Sequence, residues 1–221
     1  MKYRIYAGAV LLAVLAAAVF GFSKRQTFTD LRREADFPDQ LSVAQLSLSL
    51  TQMDCERMAQ ELPQAPYIFR VQVLEDVEFL FGASRQKVQV EEVYAGETVL
   101  PGDVLYLTGH CSLCLYAEPR SLECSFINLP VPGRQYLVFC QNTVEALDSS
   151  IPVYQLYQGS LIAPVFWDSS ADHAIFPTDG ENAYVPYSAV RSNEFFPADE
   201  SALETWNALK ADLLLRYPAA G

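Results

Sequence analysis

The sequence predicts a mainly β domain, a sandwich or a closed antiparallel barrel, with a flanking C-terminal helix and one transmembrane helix in front of it. Three observations carry this. The run IYAGAVLLAVLAAAVFGF, which starts at Ile5 and stops at Phe22, holds no charge over 18 positions. From Tyr67 onward, short segments alternate apolar with polar residues and are broken by Gly, Pro and Asp, the mark of half-buried strands joined by turns. Beyond Ser201 the apolar period lengthens to that of a helix.

As a helix, the apolar run measures roughly 27 Å, close to the hydrocarbon thickness of a bilayer. Tyr3, Tyr6, Phe20 and Phe22 stand near its ends, where aromatic rings suit the interface. A retained signal anchor at residues 1–25 is the expected reading. A cleaved signal peptide, giving a secreted protein, is the alternative, with Val19-Phe20-Gly21 as the cleavage candidate. No cysteine follows the run until Cys55, so a lipid on a mature N-terminal cysteine is not expected. Lys2 and Arg4 on one side nearly balance Lys24 and Arg25 on the other. Short basic N-terminal tails commonly stay in the cytoplasm, so the C-terminal domain is expected outside, anchored to the cell membrane by a single pass.

Charge narrows the partners. All 27 acidic residues follow Arg25, against 11 of the 15 basic ones, so the chain from Gln26 onward carries a formal charge of −16. That sign repels phosphate backbones and anionic lipid surfaces, which excludes nucleic acid as an expected partner.

Residues 26–40 read as a linker and residues 41–221 as the extracytoplasmic domain. LSVAQLSLSL, ending at Leu50, places Leu46, Leu48 and Leu50 on one face at period two and predicts a strand. A short helix follows, with Thr51 as its cap, Asp54 in its first turn and Pro63 at its end. YIFRVQVLE and QKVQVEEVY alternate as strands, with a less regular stretch around Phe79, Phe81 and Gly82 between them. Pro101-Gly102 and Pro132-Gly133 mark turns before the strands VLYL and RQYLVFCQN. PVYQLYQGSLIAPVFW continues the series, with Gly159 as a bend. Ser201-x-x-Glu204 matches a capping box. It opens a helix over residues 200–216 whose stripe Leu203, Trp206, Leu209 and Leu213 is expected to pack on the barrel.

The order VQVEEVYAGE, LPGDVLYL, VPGRQYLVF resembles the netrin-type and tissue-inhibitor-of-metalloproteinase-like modules. The matching positions are Val90, Val93, Gly96, Gly102, Asp103, Gly133, Tyr136, Leu137, Val138 and Phe139, within residues 67–142. The resemblance implies an OB-like barrel, closed or partly open. The inhibitors of that group bind a protease zinc through an N-terminal cysteine with a free amino group. Nothing here matches that cysteine, so inhibition is not implied.

Chemistry concentrates in one place. His110, Cys111 and Cys114 fall within five residues, and Cys124 follows. Imidazole and thiolates in this density are candidate zinc ligands, or a thiol redox pair. Disulfides among Cys111, Cys114 and Cys124 that pin a surface loop are the structural alternative. Five cysteines are an odd number, so at least one is free or intermolecular, and Cys140 in its apolar run reads as buried. A second polar stretch, residues 168–182, gathers Asp168, Asp172, His173, Asp179 and Glu181. It offers oxygen ligands for calcium without the spacing of an EF-hand, and Asp179-Gly180 reads more simply as a hairpin turn. With two histidines, and no G-x-S-x-G, H-E-x-x-H or phosphate loop, no catalytic constellation or cofactor is expected. The expected function is therefore a membrane-anchored, non-enzymatic binding domain. It reaches the membrane through its apolar run and takes a protein partner at the cell surface. A thiol-redox or zinc-dependent domain built on His110, Cys111, Cys114 and Cys124 is the alternative.

Overall fold

The computed structural model describes residues 2–25, 37–80, 82–176 and 184–219, and the chain divides into two compact units, Met1–Ala35 and Asp36–Gly221. In the first unit, helix α1 (Lys2–Arg25) contains the whole uncharged run. Its stretch Tyr6–Arg25, 20 residues with none of it buried, is long and apolar enough to cross a membrane.

The second unit begins with a 3₁₀ turn, Phe37–Gln40, whose Phe37 is buried. Then come β1 (Ser42–Ala44), α2 (Leu48–Glu61), a 3₁₀ turn, and the strands β2 (Tyr67–Val73), β3 (Glu78–Leu80), β4 (Ala83–Ala95) and β5 (Val104–Thr108). They are followed by β6 (Ser112–Cys114), β7 (Ser121–Glu123), β8 (Gln135–Val144), β9 (Val153–Leu156), β10 (Val165–Trp167), β11 (Tyr184–Pro186), α3 (Tyr187–Val190) and α4 (Glu200–Arg216).

Five strands close into an OB-like barrel in the order β2-β4-β5-β9-β8, with β8 returning to β2. Four seams are antiparallel; the seam between β5 and β9 is parallel. Strand β8 makes closure possible because it is long and kinked. One edge pairs with β2, Phe69 facing Val138. Along its other edge, its first half takes β10 and its second half, past a bulge near Cys140, takes β9. Phe69, Val71, Val88, Val90, Leu105, Val138 and Leu156 are all buried in one core. A second, four-stranded sheet runs β11-β1-β7-β6.

Two helices complete the core. The expected strand over residues 41–50 shrinks to Ser42–Ala44, and α2 starts at Leu48. Alternation in LSLSL misleads because the residues that bury beyond it are Thr51, Asp54, Cys55, Met58 and Leu62, a helical stripe. Thr51 does not cap the helix. It lies inside α2, and its hydroxyl donates to the Ser47 carbonyl at 2.8 Å. Helix α4 occupies residues 200–216 and buries Trp206, Leu209 and Leu213, but its cap is Asp199, which accepts from the Ala202 N–H at 2.8 Å, rather than Ser201. Trp206 stacks on Phe195 and Phe166 at 5.2 and 6.0 Å between ring centres.

Buried charges tie these layers together. Asp54, fully buried on α2, accepts from the backbone N–H groups of Leu161 and Ile162 at 2.9 Å each, and from Arg57 at 2.6 Å. Removing such an acceptor leaves buried donors unmade, which costs about 1–3 kcal/mol per group. Asp54→Ala is expected to lower unfolding stability by about 3 kcal/mol, read as a lower denaturation midpoint with an unchanged urea m-value.

Glu194 and Lys210 form a buried pair at 2.5 Å, and Glu194 also accepts from the Trp167 N–H at 2.6 Å. Burial pushes the Glu194 carboxyl up from 4.5 to about 7, with the Lys210 charge opposing. Between those values the native chain holds a proton that the unfolded chain has released, so this group's contribution to stability falls as pH rises from 4.5 to 7. Glu194→Gln is expected to remove that slope, seen by comparing urea midpoints of both proteins at pH 5 and pH 7.5.

Candidate functional site

A cavity of about 500 Å³ opens where the start of β4, the ends of β5 and β9, and the β6–β7 hairpin meet. The backbone places its chemistry by register. Strands β6 and β7 are antiparallel, with Ser112 facing Glu123, Leu113 facing Leu122 and Cys114 facing Ser121. Cys111 and Cys124 flank the Ser112–Glu123 pair, one residue outside each strand, so the hairpin carries both thiols to the same end.

The Cys111 side follows from β5. Thr108, its last residue, donates its hydroxyl to the Ser84 carbonyl at 2.6 Å. Gly109 then turns the chain at φ +91°, with the Gln158 side chain 3.1 Å from where a Cβ would stand. His110 and Cys111 come next, 4 and 6% exposed, and the Cys111 N–H donates to the Ser84 hydroxyl at 3.3 Å. On the other side, Cys124 leads into Ser125 and Phe126, two non-glycine residues at φ 47° and 60°. Such conformations cost on the order of 1–3 kcal/mol each and persist where the surroundings enforce them. Here the Ala163 N–H donates to the Ser125 carbonyl and the Phe196 N–H to the Phe126 carbonyl, both at 2.9 Å.

The electrostatics of the two thiols diverge. A hydrogen bond from the Cys124 thiol is the main cause that holds Cys111 well below the usual thiol range. Burial opposes it, and the His110 ring and the Ser84 hydroxyl add to it. Cys124 goes the other way, pushed well up by burial first and then by its hydrogen bond to Cys111. The His110 Nε2 atom is buried and has no hydrogen-bond partner. Two thiols pushed in opposite directions and the His110 ring thus border one cavity.

Three of the four clustered residues thus meet, and the fourth does not. Cys114 sits half-buried on β6 opposite Ser121 and does not line the cavity. No disulfide joins Cys111, Cys114 and Cys124: all five cysteines are free thiols. Cys55 and Cys140 are buried in the core, where burial raises both thiols. Among the described residues, no three His, Cys, Asp or Glu side chains form a group suited to hold a metal.

The second polar stretch disperses. Asp168 pairs with the buried Arg70, whose guanidinium also donates to the Tyr217 carbonyl at 2.6 Å. His173 accepts from the Glu194 and Phe195 N–H groups at 3.2 Å through Nε2. Asp179-Gly180 and Glu181 lie outside the described residues.

Sequence reasoning missed the rest of the lining. Ser84, Glu123 and the Gln155–Gln158 pair come from three separate segments. One signal was visible: β4 buries Ser84, Gln86, Val88 and Val90 in alternation, so its inward stripe turns polar toward this end of the barrel. Gly109→Ala is expected to cost about 1–2 kcal/mol, since it forces a Cβ onto a left-handed backbone, and to slow alkylation of Cys111 more than that of Cys114 in a labelling time course.

No protein-family model and no curated protein matches this chain.

Proposed function

We propose that the protein is a membrane-tethered, extracytoplasmic binding domain, and that the cavity beside the β6–β7 hairpin takes its ligand. The observation that carries this is the cavity itself. A volume of about 500 Å³, with Ser84, Ser112, Gln155 and Gln158 on its wall, falls in the range of small-molecule sites, where a few polar groups orient the occupant. Helix α1 supports the tether by its length and composition. The excess of 27 acidic over 15 basic residues in the whole chain favours neutral or cationic ligands over anionic ones.

Protease added to intact cells that express the full chain tests the placement. Loss of the acidic domain, with a short fragment retained in the membrane pellet, is expected; a protected domain, or full-length protein recovered without detergent, overturns it. A thermal-shift screen of the detergent-solubilised chain against small polar compounds tests the cavity. Stabilisation that disappears in Ser112→Trp, which fills the cavity, is expected; stabilisation equal in both proteins places the ligand elsewhere.

A further inference from the structure

We infer that Cys111 is a nucleophilic thiol with Cys124 as its resolving partner, and that together they reduce a small, neutral or cationic disulfide of the cystine type admitted to the cavity. The inference rests on the reading of this cavity as the ligand site. Four observations carry it. The hairpin register ends on the Ser112–Glu123 pair, which brings Cys111 and Cys124, the residues flanking that pair, to the same end of the two strands. Both border the cavity. His110 stands beside Cys111 on the cavity wall, and its buried Nε2 has no hydrogen-bond partner. The strained turn after Cys124 is fixed by bonds from Ala163 and Phe196, so the resolving sulfur is held in place.

Size and charge select the substrate. The sulfurs belong to residues only 6 and 3% exposed, which a disulfide on a folded protein cannot reach, whereas a free one fits about 500 Å³. The Glu123 carboxylate lines the same cavity and suits an ammonium group. In the first step the Cys111 thiolate attacks one sulfur of the substrate. A Cys111–substrate disulfide forms, the substrate S–S bond breaks, and the second half leaves as a thiolate that takes a proton. In the second, Cys124 loses its proton and attacks the Cys111 sulfur, forming the Cys111–Cys124 bond and expelling the first half as a thiol. Two protein thiols are oxidised and one substrate disulfide is reduced to two thiols.

The test uses the full-length chain in detergent, reduced beforehand, with cystine as probe and peptide mass mapping as readout. Wild type is expected to end with Cys111 joined to Cys124 and two cysteines released per chain. Cys124→Ser is expected to stop with a half-cystine on Cys111. Cys111→Ser is expected to slow oxidation at least about tenfold, Cys114→Ser to leave it unchanged, and His110→Gln to move the pH–rate midpoint upward. Oxidised glutathione, which is anionic, is expected to react more slowly than cystine.

Competitive iodoacetamide labelling of the five cysteines in the native wild type needs no variant to fold; Cys111 reacting no faster than Cys114 overturns the proposal. So does a first half-cystine found on Cys114, or one zinc per chain that protects both thiols. An oxidation rate unchanged in Ser112→Trp refutes the cavity as the route while leaving the thiol pair assigned. Compounds that bind the cavity beside an inert Cys111 refute the thiol chemistry while leaving the binding site intact.

Discussion

The pairing of one strand with three others is the constraint on which the second unit depends. Strand β8 must satisfy β2 along one edge and both β10 and β9 along the other. Were it shorter or straight, the sheet would stay open, and β2 or β9 would present unpaired backbone groups. The bulge near Cys140 lets β8 leave β10 and bend toward β9, and buried residues crowd there: Tyr136 through Cys140 are all at most 5% exposed. Closure forces β9 to run parallel to β5. That in turn brings the end of β5 and the end of β9 to the same rim, where the cavity lies.

The thiol pair is a product of that architecture more than of local sequence. Cys111 is delivered by the turn out of β5, and Cys124 by the return of a hairpin that belongs to the other sheet. The hydrogen bond from Cys124, with His110 and Ser84 adding to it, lowers Cys111 against its burial, whereas burial raises Cys124. Cys140, buried without such neighbours, shows what the same side chain becomes in an apolar setting.

Much of the architecture was legible because burial was regular. The helix over residues 200–216 follows from its apolar stripe, β2 and β5 from apolar residues at every second position, and β8 from an apolar run behind the Pro132-Gly133 turn. Alternation failed at LSLSL because serines at the front of an amphipathic helix mimic the polar face of a strand; only the buried residues from Thr51 to Met58 reveal the true period. The cluster of His110 with the cysteines was visible as composition, but not which members would meet. Spacing along the chain treats Cys114 as Cys111's natural companion, whereas it is Cys124 that shares the cavity wall with Cys111. Ser84, Gln155 and Gln158 were illegible, since each reaches the cavity through tertiary closure.

The turn that follows Cys124 links the thiols to a distant aromatic stack. Phe126 receives a backbone bond from Phe196, and the neighbouring Phe195 lies 5.2 Å from Trp206 with their planes 14° apart. One backbone hydrogen bond and one ring stack thus lead from the residues after Cys124 to the indole of α4, so the rim of the cavity and the seat of the last helix are built on the same short segment.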